Sequence, residues 1–528
     1  RDARGILNDS NWKLHWGDGQ FVHVDPSNWR KMFTQMENGS TFSYDPMTHR
    51  IQRINPGFHN IVNYEDAIPA EARADGLPFR FNWTAPLQMS PFDAKTLYLA
   101  ANYLLKTTDS GQTWSIISPD LSTNSPEKTV KGKSGGITPD NTGAETHCAI
   151  YTLSLSTISP DIIWAGTDDG NIQITTNGGS NWTNVRENIK NVPNGMWVSR
   201  VEASHFDPGT AYVTFDGHRS DNNQIWVFKT TNYGRDWTNI SSNLPKQEVA
   251  RVIREDLKNP NLLFIGTETG VFFSVNGGAY WAKLKLNLPT VSVLDLKIHP
   301  RENDLIIGTH GRSIWILDDI TPLQQLSSNI LTSKGHLFEQ KQATLWENVS
   351  RGGQRGHFWF AGENPASVKN TSTLPRAMFE NGAMISYYIG KDVEEDVLIE
   401  ITDQNGHKKI DTLQNSPGIH KYRWDLQFDP APFTAEQEKN INEILENLTR
   451  QYTFSGIRRA KTAFEAARTP LEARKAIQIL TNGYLSFRLG DEYNIPRAKV
   501  GSYMIKLSIG DEVHRRSIEV RADPMISK

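Results

Sequence analysis

Apolar residues along this chain come in short runs of about five, broken by Gly, Pro, Asn and Asp. Three of these runs share one layout: IIWAGT (162–167), NLLFIGT (261–267) and DLIIGT (304–309), β-branched and aromatic residues that end in Gly-Thr. A turn containing Pro precedes each, as SPD (159–161), KNPN (258–261) and HPREND (299–304). Runs of this length, with turn residues every ~8–12 positions and no helical period, predict short antiparallel strands.

A second phrase follows the first. It reads TTDSGQTW (107–114), TTNGGSNW (175–182), TTNYGRDW (230–237) and SVNGGAYW (274–281). The common pattern is Ser/Thr-x-Asp/Asn-x-Gly-x-x-Trp. An Asp or Asn that bonds its own backbone, followed by a Gly free to take a positive φ, makes a hairpin. The Trp then opens the outgoing strand, where its ring can cover the turn. Segments 90–109 and 206–217 follow the same strand plan, and 16–50 reads as an earlier unit without the Trp signature. The expectation is an all-β fold: roughly six four-stranded β-propeller blades between residues 10 and 320, the last without the hairpin phrase. A propeller ring closes by pairing its last blade with strand from elsewhere, so a truncated start implies that other polypeptide completes it.

Beyond 320–326 the pattern changes. A Gly- and Arg-rich connector (350–365) leads to alternating strands at 383–390, 396–413, 418–428 and 501–520, with hairpins at Asn405-Gly406 and Gly510-Asp511. These predict an antiparallel β-sandwich of immunoglobulin or fibronectin type. Inside it lies a helical insertion at about 434–485. Thr434 with Gln437 spells a capping box, Thr469-Pro470 starts a second helix, and Ile441, Ile444, Leu445 and Leu448 recur at helical spacing. The predicted organisation is therefore blades over 1–325, a connector over 326–380, and the sandwich over 381–528.

Composition narrows the classes. The chain has 528 residues, a net charge of −3 and a single cysteine, Cys148. The near-neutral balance gives no field for nucleic acid, and no apolar run of about 18 residues predicts a transmembrane segment. One cysteine excludes an intrachain disulfide and a cysteine zinc site. No cofactor or metal is expected: H-E-x-x-H and a phosphate loop are both missing from the sequence.

The residues GTDDGNIQITTNGGSNWTNV (166–185), WVSRVEASHFDPGTAYVTFDGHRSDN (197–222) and HPRENDLIIGTHGRSIWILDDITPL (299–323) resemble sortilin-like, Asp-box (bacterial neuraminidase-type) repeat proteins of bacteria, often labelled glycosyl hydrolases. The resemblance covers nearly the whole chain, the helical insertion least. It implies an exported protein, in the periplasm, at the cell surface or outside the cell. Members of that family are about twice as long, with further propeller upstream, so this chain, which opens at Arg1 without methionine, looks like their C-terminal half. Sortilin's disulfide-rich module has no counterpart in a one-cysteine chain.

The Asp-box residues Asp109, Asn177, Asn232 and Asn276, with Trp114, Trp182, Trp237 and Trp281, read as structural. The chemistry-bearing candidates lie on innermost strands and the loops above them. Glu202, Asp168, Asp216 and Glu268 are the carboxyl candidates, because glycoside hydrolysis uses two carboxyls about 5–9.5 Å apart. Arg200, Arg251, Arg254, His218, Arg219, His310 and Arg312 are ligand-binding candidates, and Asp295, Lys297 and His299 share the last blade. These residues form either a polar funnel for a sugar or peptide, or an ion-pair network joining blades. Three functions follow: an exported propeller, non-catalytic or of unproven activity, that binds a glycan or polypeptide at its face; a glycoside hydrolase using paired carboxylates in a cleft against a missing N-terminal propeller; or a scaffold subunit of a cell-surface assembly.

Overall fold

The computed structural model describes residues 14, 17–73, 78–129, 146–285, 287–345, 354–355, 358–359, 382–430, 432, 434–451, 462–463, 465–469, 472–473, 476 and 496–523. The chain divides into a unit of Trp12–Gln324 and a unit containing Gln325–Lys528. The first is all-β, built from six sheets at 19–53, 87–116, 150–184, 197–239, 250–283 and 293–317. Sheets one to five are four-stranded antiparallel meanders, and sheet six has three strands among the described residues. In each, the first strand is innermost, and in sheets one to five it lies against the first strand of the next sheet. These are propeller blades.

The repeated phrases account for the blade contacts. The second strands of sheets two to five are buried along their entire lengths, because each is covered on both faces. The Gly of Gly-Thr is a socket within that packing. A Cβ on Gly166 would lie 2.5 Å from Val198 of sheet four, and one on Gly266 would lie 2.7 Å from Val293 of sheet six. Only glycine lets the next innermost strand approach so closely.

The four Asp boxes form one hairpin repeated. Thr107, Thr175, Thr230 and Ser274 donate side-chain bonds to the Asp or Asn two residues on, and each accepts from the box glycine at 2.9–3.0 Å. The indole N–H groups of Trp114, Trp182 and Trp281 donate to Ile54, Ile117 and Ile240 carbonyls at the end of the preceding sheet. Trp237 instead donates to Gly234 within its own turn and packs edge-on to Trp164. Burial alone would raise the Asp109 carboxyl, yet hydrogen bonds from Thr113 and Thr107 hold it below its ordinary range.

The second unit is a β-sandwich. A three-stranded sheet (Gly335–Leu337, Ala383–Ile389, Gly418–Trp424) faces a five-stranded one (Ala343–Leu345, Val397–Thr402, Lys408–Leu413, Gly501–Ile509, Glu512–Ala522). Ile385, Trp424, Tyr503 and Ile505 fill the core between them. Both hairpin glycines have positive φ: Gly406 at 86° and Gly510 at 55°. The insertion opens with a helix, Ala435–Gln451, capped reciprocally by Thr434 and Gln437. Thr469 and Glu472 cap each other likewise. The side chains of Ile441, Ile444, Leu445 and Leu448, Pro470, and most of the 350–365 connector lie outside the described residues. Among the described residues no helix is long and apolar enough to cross a membrane.

Candidate functional site

Strand register places the candidates at two levels. Ile150 pairs with Thr167, Trp197 with Asp216, and Ala250 with Thr267. The starts of the innermost strands and the loops after the second strands therefore share one end of the blades, the mouth. Asp216, Glu268, Arg251, His218 and Arg219 meet there. Asp216 accepts from the His218 backbone N–H at 3.0 Å, contacts the His218 ring nitrogen at 2.6 Å, accepts from Arg219 at 3.0 Å, and pairs with Arg251. Arg251 reaches on to Glu268 at 2.6 Å, tying sheet four to the loop of sheet five. Burial works to raise the Asp216 carboxyl, but the His218 bond and the Arg251 charge hold it low. The Arg219 guanidinium sits 4.0 Å above the Trp197 ring, and Tyr151 meets that ring edge-on at 5.2 Å.

Deeper along the innermost strands lies the second level. Arg254 binds Glu202 at 2.7 Å, Asp295 at 3.0 Å and the Leu296 carbonyl at 2.7 Å, while Arg200 binds the same Asp295 oxygen at 2.9 Å. Sheets four, five and six are thereby joined by a charge relay of alternating sign. Burial alone would raise Glu202; Arg254 and His205 hold it ionised. His205 is raised in turn, its burial outweighed by Glu202. Burial lowers Lys297, with Arg254 adding to the effect.

Asp168 is enclosed completely. It accepts from the Ala149 N–H and the Asn82 amide, both at 2.9 Å, and the His147 ring nitrogen lies 3.6 Å away. Burial, then the charge of Asp169, pushes its carboxyl up to about 8. Asp169 accepts from the Thr123 N–H and hydroxyl at 2.7 and 2.6 Å. Burial, and then the charge of Lys128, pushes the His147 imidazole down to about 4.

His310 and Arg312 stay apart, exposed on the loop of sheet six; Arg312 bonds the Gly311 carbonyl of its own turn. Sequence reasoning missed Trp197, Tyr151 and His205 at these levels. The signal for Trp197 was its place as first residue of an innermost strand. An open groove of about 730 Å³ lies elsewhere, at the outer edge of sheets one and two, lined by Arg30, Lys31, Asp45 and Asp109. It holds none of the carboxyl candidates at the mouth. Among the described residues no cluster of three His, Cys, Asp or Glu side chains could hold a metal.

Comparison with family models and with curated proteins finds no match. Solved structures do align. A GH74 xyloglucanase from Xanthomonas campestris is 17% identical over 60% of this chain and 54% of its own, with a TM-score of 0.39. YCF48 from Cyanidioschyzon merolae is 13% identical over 62% of this chain and 90% of its own, TM-score 0.38. The extracellular domain of BT4673 from B. thetaiotaomicron is 11% identical over 95% of this chain and 50% of its own, TM-score 0.36. This chain thus spans about half the length of the xyloglucanase. The fold assignment rests on the sheets themselves.

Proposed function

We propose that this chain is an exported, non-catalytic binding propeller of the Asp-box, sortilin-like kind, which takes a glycan or polypeptide at the mouth around Trp197. One observation carries the reading: each carboxyl weighed for catalysis is already engaged. Asp216 is gripped by Arg219, Arg251 and the His218 ring, Glu202 by Arg254, Glu268 by Arg251, and Asp168 is enclosed. A hydrolase needs one carboxyl free to give a proton and another free to attack or to activate water. The mouth instead presents a fixed cation beside aromatic rings, a surface suited to recognition. The sandwich serves in this reading as an immunoglobulin-like docking or spacing module.

Glycan and peptide arrays probed with wild-type protein and with Trp197→Ala and Arg219→Ala test it. Both variants are expected to lose binding at least tenfold while keeping the wild-type unfolding midpoint. Turnover of a polysaccharide by the wild type that disappears in Glu268→Gln would overturn the reading in favour of the glycoside hydrolase.

A further inference from the structure

The groove at the outer edge of sheets one and two is built by a departure from the blade pattern. The fourth strands of sheets two to five have two residues each, whereas that of sheet one, Arg50–Arg53, has four and follows a turn that is not an Asp box. Phe33 packs into the core shared with sheet two, and cross-strand pairing puts Ser43 and Gln52 on the same face. Two residues along each strand, that face carries Lys31, Asp45 and Arg50, with the Lys31 ammonium 5.4 Å from the Phe33 ring centre. The extra length thus adds a polar wall beyond the apolar seam. The Asp box of sheet two forms the opposite wall with Asp109, Ser110 and Gln112, and the Ser110 N–H donates to the Lys95 carbonyl at 2.9 Å, fixing Lys95 beside it.

Four cations line the groove, Arg30, Lys31, Arg50 and Lys95, against two carboxylates. Both carboxylates are engaged within their own walls. Asp45 pairs with Arg30 at 2.8 Å, and Asp109 accepts from the Thr107 and Thr113 hydroxyls at 2.7 and 2.6 Å. Asp93, which feels the charges of Lys95 and Lys31, is folded onto its own turn by the Lys95 N–H and the Thr96 hydroxyl. Lys31 reaches across to the Ser110 hydroxyl, a neutral acceptor, at 2.5 Å. Arg50 and Lys95 are exposed, and among the described residues neither side chain meets an acceptor. Cations without partners therefore stand on both walls.

We infer that this groove is a second binding site, apart from the mouth, for an acidic oligosaccharide whose carboxylate or sulfate groups pair with Arg50 and Lys95. A lone exposed cation is an ordinary solvated side chain; here four converge from three segments on one concavity. Its volume of about 730 Å³ lies within the ~300–1,000 Å³ of ligand sites and exceeds what one inorganic anion fills. Asn28, Ser43, Gln52 and Gln112 add neutral hydrogen-bonding groups of the kind that sugar hydroxyls use.

Titration calorimetry of the full chain with a polygalacturonate oligosaccharide, a heparin oligosaccharide, neutral dextran and inorganic sulfate tests the inference. At least one charged oligosaccharide is expected to bind, the tighter of the two identifying the anion, and binding should weaken as salt rises. Arg50→Gln combined with Lys95→Gln is expected to cut that affinity at least tenfold at an unchanged unfolding midpoint, since neither side chain has a partner to lose. Trp197→Ala, at the mouth, and Lys391→Gln, exposed in the second unit, should change it less than twofold. No binding of either charged oligosaccharide, equal binding of dextran, or displacement by equimolar sulfate would overturn the inference. So would an equal loss in Trp197→Ala, which would move the binding to the mouth, or in Lys391→Gln, which would make it diffuse charge attraction. A double variant that keeps its affinity, or whose unfolding midpoint falls, overturns it as well.

Discussion

Gly278 offers the sharpest test of why the Asp box requires glycine. Its φ is +93°, and a Cβ there would sit 2.8 Å from Cδ1 and 3.0 Å from Cβ of Ile240, on the preceding sheet. The neighbouring Gly277 shares the positive φ, at +67°, but its Cβ would meet nothing nearer than the Asn261 side chain at 3.6 Å. Alanine at either position carries the left-handed backbone cost of about 1–2 kcal/mol. Only at Gly278 does overpacking add a further ~1–3 kcal/mol. Gly277→Ala is therefore expected to lose about 1–2 kcal/mol, and Gly278→Ala about 2–5 kcal/mol in all. Trimming Ile240 to Ala removes the closest atom, so the double variant should be more stable than the sum of the singles by about 1 kcal/mol. Urea unfolding followed by tryptophan fluorescence measures all four proteins, since Trp281 is buried beside this turn. Equal losses at the two glycines, or additivity in the cycle, would refute the contact as the reason for glycine.

Three further outcomes are expected. Burial raises the folded Asp168 pKa to about 8, so its contribution is fully present below the ordinary carboxyl range and is lost as pH rises through about 8. Asp168→Asn should flatten this part of the stability profile between pH 4 and 8, and an unchanged slope would show that Asp168 does not keep its proton. Arg254→Met should destabilise the first unit by about 3–5 kcal/mol, because Glu202 and Asp295 lose their shared partner, with most of the loss recovered on adding Glu202→Leu; denaturant midpoints decide. Trp114→Phe leaves the Ile54 carbonyl without its indole donor and should cost about 1–3 kcal/mol, read as a lowered unfolding midpoint.

The blades were legible because their contacts are written in local phrases. Gly-Thr marks the second strand in three blades, and Ser/Thr-x-Asp/Asn-x-Gly-x-x-Trp marks the hairpin in four, so those four could be found from about eight residues. The alternation of Arg200 and Glu202 likewise predicts a shared strand face. Which charge meets which was not legible. Arg254 binds Glu202 52 residues away and Asp295 41 residues away, and only blade stacking sets those pairings. The burial of Asp168 was equally hidden: its enclosing partners Asn82 and Ala149 come from segments on either side of sheet two. Trp197 escaped notice because a tryptophan opening a strand reads as core; its ring becomes part of the mouth only through Arg219 and Tyr151.

The way sheet six is fastened has a consequence for how the unit responds to its solvent. Three of the first five sheets are tied to the preceding one by an indole N–H inside an apolar seam, which dissolved ions barely reach. Sheet six has no box; its ties to the fourth and fifth sheets include Arg200 and Arg254 on the half-exposed Asp295, and Gln324 on Asp256. Ionic strength thus becomes a handle on one blade. Raising salt should quicken amide exchange in 293–317 ahead of 150–239, so that the sixth blade is the one the medium can loosen.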